Sequence, residues 1–261
     1  MKLHLHLLLS VGLLAAASSQ AATLTLQASA DTSLISANGG NQNVGASQEL
    51  WVLRNAQTTL IRFDLPSYDG LTLEEATLGL GLKNFTQTTT AMEVQVYALA
   101  EANRAWVEGD GAAYPGNYRP GASTWSNQLH GPSATNTSDN GTPWASGVTG
   151  ATGGSPVLLG TWSLTGSEEA GYLELVIDDA DVLALWAGYG FVDLLLVNPS
   201  GTNRAVFHSR ESESTALQPY LTINYTTIPE AGAGHLLGAA FLTLLSLRGG
   251  SLVRKKFHGK H

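Results

Sequence analysis

Short runs of alternating apolar and polar residues, each ended by turn-forming residues, recur about ten times along the chain. Period-two alternation sends successive side chains to opposite faces of an extended backbone, so each run suits a half-buried strand. The runs at 23–28, 49–53, 59–65, 76–82, 93–99, 157–164, 172–177, 192–197, 205–209 and 220–225 all read this way. Asn38-Gly39-Gly40, Tyr68-Asp69-Gly70 and Pro199-Ser200-Gly201 supply turn chemistry between them. One helix is expected, at 179–187, where an Asp-rich start suits a helix N-terminus and Val182, Leu185 and Trp186 share a face. Many short strands without long helices predict an all-β domain: a single antiparallel β-sandwich of jelly-roll type with a short crossover helix packed on it.

The two ends have a different character. Lys2 precedes a mostly apolar run at 3–17, and Ser19-Gln20-Ala21 offers the small-x-small pattern of a signal peptidase site. Residues 1–21 therefore read as a secretory signal peptide, too short to span a membrane. At the other end Ile228-Pro229-Glu230-Ala231 leads through a Gly-rich hinge into an apolar stretch at 236–247, and Arg254-Lys255-Lys256 follows. Taken over 234–253 the apolar segment reaches the length of a membrane-spanning helix, with Arg248 able to snorkel to the headgroups. Residues 228–261 resemble a PEP-CTERM sorting tail, in which a Pro-Glu-Pro motif, an apolar helix and a basic end are read by an exosortase. Pro229 and Glu230 match that motif, and Ala231 stands where the second proline would be. A plain C-terminal membrane anchor is the alternative. Either way, residues 22–227 are expected outside the cytoplasmic membrane, secreted or at the cell surface.

Charge and cysteine content narrow the partners. Residues 22–230 carry 7 Lys and Arg against 21 Asp and Glu, a net charge of −14, compared with −8 for the whole chain. So acidic a domain repels polyanions, which argues against nucleic acid and disfavours anionic polysaccharides unless Arg residues gather on one face or Ca²⁺ bridges them. The absence of cysteine removes disulfides and thiolate metal sites from consideration.

Residues 109–156 break the strand rhythm, being rich in Gly, Ser, Thr, Asn and Pro, with Tyr114, Tyr118, Trp125 and Trp144 scattered among them. Long loops inside compact domains are often functional, so this stretch is the expected binding surface.

A series of short motifs occurs in a fixed order. Ala30-Asp31-Thr32 and Asn43-Val44-Gly45 precede Leu60-Ile61-Arg62-Phe63-Asp64-Leu65, followed by Trp106-Val107-Glu108-Gly109 and Ser123-Thr124-Trp125. Thr142-Pro143-Trp144, Asp181-Val182 with Trp186, Phe207-His208-Ser209-Arg210-Glu211 and Pro219-Tyr220-Leu221-Thr222 complete the series. In this order they resemble the DNRLRE domain family, related to carbohydrate-binding module family 96 and to disaggregatase-type modules. The resemblance spans about residues 30–225. It implies a β-jelly roll of secreted and surface proteins, in some members an accessory module that binds polysaccharide, and it does not imply catalysis.

Several residues are candidates for a site. Alternation puts Arg62 and Asp64 on the strand face opposite Ile61, Phe63 and Leu65, where Arg62 either meets a ligand or pairs with Asp64 or Glu211. Arg210 and Glu211 read the same way. Trp106 and Trp125 either stack on sugar rings or close the core. Tyr114, Tyr118 and Trp144 sit in polar loop sequence that suits ligand contact, and Arg119 could offer a hydrogen-bond fork to hydroxyls. Asp31 with Asn38 or Asn43 offers hard oxygen ligands for a structural Ca²⁺, and plain turn chemistry explains the same residues. The domain has only His130 and His208, no Gly-x-Ser-x-Gly elbow and no His-rich metal spacing. Glu108 with Asp110, or Asp178, Asp179 and Asp181, could be proposed as a glycosidase pair, but read more simply as loop charge and as a helix start.

The expected function is therefore that of an exported, non-catalytic module binding polysaccharide in an extracellular or exopolysaccharide matrix. The alternatives are a structural matrix protein and, more remotely, a polysaccharide-degrading enzyme.

Overall fold

The structure, a computed structural model, describes residues 20–67, 70–86, 91–111, 119–132, 141–165, 171–200 and 202–227. Residues 1–19 of the expected signal peptide and the expected sorting tail at 228–261, with Pro229 and Glu230, lie outside the described residues. In chain order the strands are β1 (Gln20–Gln27), β2 (Ala30–Ile35), β3 (Glu49–Leu53), β4 (Gln57–Asp64), β5 (Thr72–Thr86), β6 (Met92–Ala98), β7 (Asn127–Leu129), β8 (Thr142–Pro143), β9 (Val157–Leu164), β10 (Gly171–Ile177), β11 (Phe191–Val197), β12 (Arg204–His208) and β13 (Tyr220–Thr227). Each expected strand is present, most within two residues of its expected ends. β5 is longer than expected, running to 15 residues. β1 begins at Gln20 and so takes in two residues on the leader side of the expected boundary.

Every pairing is antiparallel. β5 is the hub: β10 pairs along one of its edges, while β13 and then β12 pair along the other. β1 closes on β13, with Gln20 opposite Thr227, so the two described ends leave the sheet side by side. β12 continues to β3, and β3 turns into β4 through a tight hairpin whose Asn55 holds the left-handed conformation that Asn tolerates. β4 is flanked by β2 and β11, and β11 leads on to β6 and β9. These eleven strands form one sheet, and β7 with β8 forms a separate small ribbon.

The large sheet curls on itself, because one core draws on both of its halves. Ile61 and Phe63 of β4, Val94 and Val96 of β6, and Leu194 of β11 pack with Leu78 and Leu80 of β5 and Leu221 and Ile223 of β13. The chain is thus an all-β domain around one hydrophobic interior. The helix α1 (Ala180–Tyr189) packs against that interior. Asp179 caps it by accepting hydrogen bonds from the backbone N–H groups of Asp181 and Val182, as the Asp-rich start predicts. Gly190, left-handed, ends it. Its buried face differs from the expected one. Val182, Leu183 and Trp186 point inward, while Leu185 is 41% exposed.

β4 is buried on its second face too. Leu60, with Leu34 of β2 and Leu195 of β11, packs under Leu99, Trp106, Trp144 and Ala151. The Gly-rich segment expected to form the binding surface also contributes, through Trp144 and Ala151, to the cover over this face. The core location of β4 gives a direct test. Phe63→Ala, at a fully buried position, lowers the unfolding free energy by about 3–5 kcal/mol in a denaturant titration. Val176→Ala, at a position 55% exposed, changes it by no more than about 0.5 kcal/mol.

Candidate functional site

The covered face of β4 carries a charge that must be neutralised. Arg62 follows Leu60 on that face and lies directly opposite Asp193 of β11. Its Nε donates to Asp193 Oδ1 at 2.7 Å and its Nη2 to Oδ2 at 2.8 Å, a bidentate fork. Nη2 also donates to the Arg104 carbonyl at 2.7 Å. The guanidinium carbon sits 4.9 Å from the Trp106 ring centre and 4.6 Å from that of Phe191, and the Trp106 indole N–H donates to Asp193 Oδ1 at 3.1 Å. Arg62 therefore pairs with neither Asp64, which is exposed, nor Glu211; the cross-strand register delivers Asp193 instead. Burial pushes the Asp193 carboxyl above the usual range, with the Arg62 guanidinium and the Trp106 indole pulling the other way. Trp106, in turn, is spent on this network and on the core.

A second cluster joins three distant segments. Asp31, at the start of β2, is fully buried, and the nearest oxygens of Asp31, Glu108 and Glu211 all lie within 4.8 Å of one another. The Asp31 N–H donates to Glu108 Oε1 at 2.7 Å, and the Arg210 N–H donates to Asp31 Oδ2 at 2.7 Å. The Arg210 guanidinium bridges the rest, with Nε 2.9 Å from Glu108 Oε1 and 2.7 Å from Glu211 Oε1. Desolvation, first of all, raises all three carboxyl groups above their usual range, and mutual repulsion adds to it at Asp31 and Glu108.

Asn43 has a different task from the one expected. Its Nδ2 donates to the carbonyls of Glu108 at 2.5 Å and Ser123 at 3.0 Å, while its Oδ1 accepts from the N–H groups of Gly45 and Gly111. All of these groups are backbone, so Asn43 pins the loops that carry Glu108 and has no oxygen to share with Asp31. The companions of Asp31 are Glu108 and Glu211, which sequence spacing alone does not bring together. The Asn38 side chain lies outside the described residues.

The aromatic candidates separate. Trp144 is 1% exposed and donates its indole N–H to the Thr124 carbonyl at 2.9 Å, so it presents no ring face to a ligand. The polar sequence around it suggested exposure, but the indole fills the space above Leu60 and Leu195. Arg119 pairs with Asp110, its Nε 2.9 Å from Oδ1, at the surface. Tyr114 and Tyr118 lie outside the described residues.

Trp125 is only half-buried. Its ring rests so closely on Gly150 that a Cβ there would come within 2.9 Å of it, and Gly150 is left-handed besides. The Gly150 N–H donates to the Trp125 carbonyl, and the Gly150 carbonyl accepts from Thr58 Oγ1 of β4 at 2.9 Å, which fixes the loop to the sheet. Beside this indole lies a cleft of about 430 Å³, within the size range of small-ligand sites. Its walls are Trp125, Leu53, Val148 and Val197 together with the Asn and Thr side chains of Asn55, Thr58, Thr149, Thr152 and Asn198. Among the described residues, no charged side chain lines it. Thr58 and Asn198 are committed to holding the loops, Thr58 to Gly150 and Asn198 to the Asn203 carbonyl. Sequence reasoning had Trp125 but none of these companions, because they come from the β3–β4 hairpin, the far end of the loop and the end of β11.

The Arg62 network is the part with the sharpest energetic consequence. Arg62→Ala leaves a buried carboxylate without its partner and lowers stability by about 3–5 kcal/mol at neutral pH. Asp193 then holds its proton to still higher pH when folded than when unfolded. Stability therefore falls as pH rises through that window, and acidification recovers part of the loss. Denaturant titrations of both proteins at acidic and neutral pH check this; an equal deficit at both would contradict it.

Comparison of the sequence with models of known protein families returned no match, and none was found among curated proteins.

Proposed function

We propose that this chain is an exported, non-catalytic surface module that binds neutral polysaccharide in the cleft beside Trp125. The observation that carries the reading is the make-up of that cleft: an indole and aliphatic side chains beside amide and hydroxyl groups, with no charge. An indole ring suits the apolar C–H face of a pyranose, and amides and hydroxyls suit its hydroxyl groups. The lack of cationic side chains agrees with the net charge of −14 over residues 22–230, which disfavours anionic glycans. The reading treats the curled antiparallel sheet as a jelly-roll sandwich of the DNRLRE type. It takes residues 1–21 as a signal peptide and residues 228–261 as an exosortase-read tail that passes through the membrane. The domain would then meet an exopolysaccharide matrix at or beyond the cell surface.

A structural matrix protein is the second reading. It draws on the apolar side chains Val157 and Leu158 of β9 and Val176 of β10, each about half exposed, which could bury against a neighbouring copy.

A glycan array probed with the full chain separates the two. Binding to neutral glycans is expected, with a loss of at least about tenfold in Trp125→Ala, the equivalent of some 1.4 kcal/mol. Asn55→Gly, which keeps the left-handed turn and removes only the amide, weakens binding without lowering the melting temperature. Silence on every glycan, together with concentration-dependent self-association in sedimentation, would favour the structural protein.

A further inference from the structure

We propose that Asp31, Glu108 and Glu211 form a binding site for a calcium ion, assembled from β2, the segment after β6 and the segment after β12. Three features point there. The first is unmet hydrogen-bonding capacity: Asp31 Oδ1 and Glu211 Oε2 are both shielded from solvent and accept no hydrogen bond, although Asp31 Oδ2 and Glu211 Oε1 are engaged. A buried carboxylate oxygen without a donor, on a residue grouped with two other carboxylates, requires either a cation or a shared proton.

The second feature is size. Calcium binds oxygens at about 2.3–2.6 Å, so two ligands on opposite sides of it are roughly 4.6–5.2 Å apart. Oxygens that all lie within 4.8 Å of one another can surround one such ion.

The third feature is charge. Three carboxylates and the Arg210 guanidinium leave a net −2, which a divalent ion neutralises. All the candidate ligand atoms are oxygens, which suits calcium rather than zinc or copper. Arg210 Nε holds Glu108 and Glu211, and Asp31 Oδ1 is left without a donor. Because Asp31, Glu108 and Glu211 come from segments 77 and 103 residues apart in sequence, a bound ion would tie β2 to both loops. It would act on stability and on the loop that carries Glu108, and it does not depend on the glycan reading.

Thermal unfolding of the full chain, stripped with a chelator and titrated with calcium chloride, tests the site. At about 100-fold excess over Kd the transition should rise by roughly 5–10 °C in a domain this size. Calorimetry should give one ion per chain, and magnesium chloride at equal concentration should give a smaller rise. Asp31→Asn should abolish the calcium response. If that variant does not fold, Glu211→Gln, at the most exposed of the three carboxylates, should weaken calcium binding at least tenfold. No rise with calcium, an equal rise with magnesium, or a calcium response unchanged in the variant that folds would overturn the assignment. The first outcome would leave a proton shared between Asp31 and Glu211.

Discussion

A guanidinium set between a buried carboxylate and two aromatic rings is the contact on which the rest of this structure depends. Arg62 and Asp193 face each other across the β4–β11 ladder, on the side of the sheet that a curled all-β domain would normally leave in water. Taking that pair out of water is costly unless the remaining donors and acceptors are met. The Arg104 carbonyl, the Trp106 indole and the Phe191 ring meet them. Each of these groups except Phe191 belongs to the segment that follows β6. Satisfying one ion pair therefore fixes the path of a long connection, and that connection roofs over Leu60 and Leu195 with Trp106 and Trp144.

Both candidate sites follow from that roof. On one side the covering segment brings Glu108 to Asp31, with Asn43 clamping the backbone at Glu108, Gly111 and Ser123. Elsewhere it lays Trp125 over Gly150 and against the β3–β4 hairpin, leaving the uncharged cleft. The cluster concentrates negative charge, and the described lining of the cleft carries none. A cation and a neutral sugar could each be accommodated without competing for the same groups. The pairing of β1 with β13 adds a geometric point, since Gln20 and Thr227 are register partners and the chain enters and leaves the domain at one place.

Strands covered on one face were legible from their alternation, as in β6 and β10, and strands buried on both faces from their apolar runs, as in β11. β2 was missed because three of its five buried residues, Asp31, Thr32 and Ser33, are polar, so it shows neither alternation nor an apolar run. The α1 start was readable from Asp179, a local signal, but the choice of Leu183 over Leu185 as the inward residue is decided by what the helix packs against. Polar neighbours made Trp144 look exposed, whereas a β4 buried on both faces gives it a core to fill. Arg62 was legible as a residue needing a partner. Asp193 was not, since it lies 131 positions away in an otherwise apolar strand. An isolated Asp between Val192 and Leu194 was the available signal. The same holds for Asp31, whose companions are set by tertiary register and not by local spacing.

The central claim is that a neutral glycan sits against Trp125 in the cleft between the β3–β4 hairpin and the loop carrying Val148 and Thr149. A crystal structure of the protein soaked with an oligosaccharide tests it most directly. The account predicts a sugar ring stacked on the Trp125 indole, with hydroxyls reaching Asn55 or Thr149. An ordered sugar bound on another face, with the cleft holding only water, would contradict it.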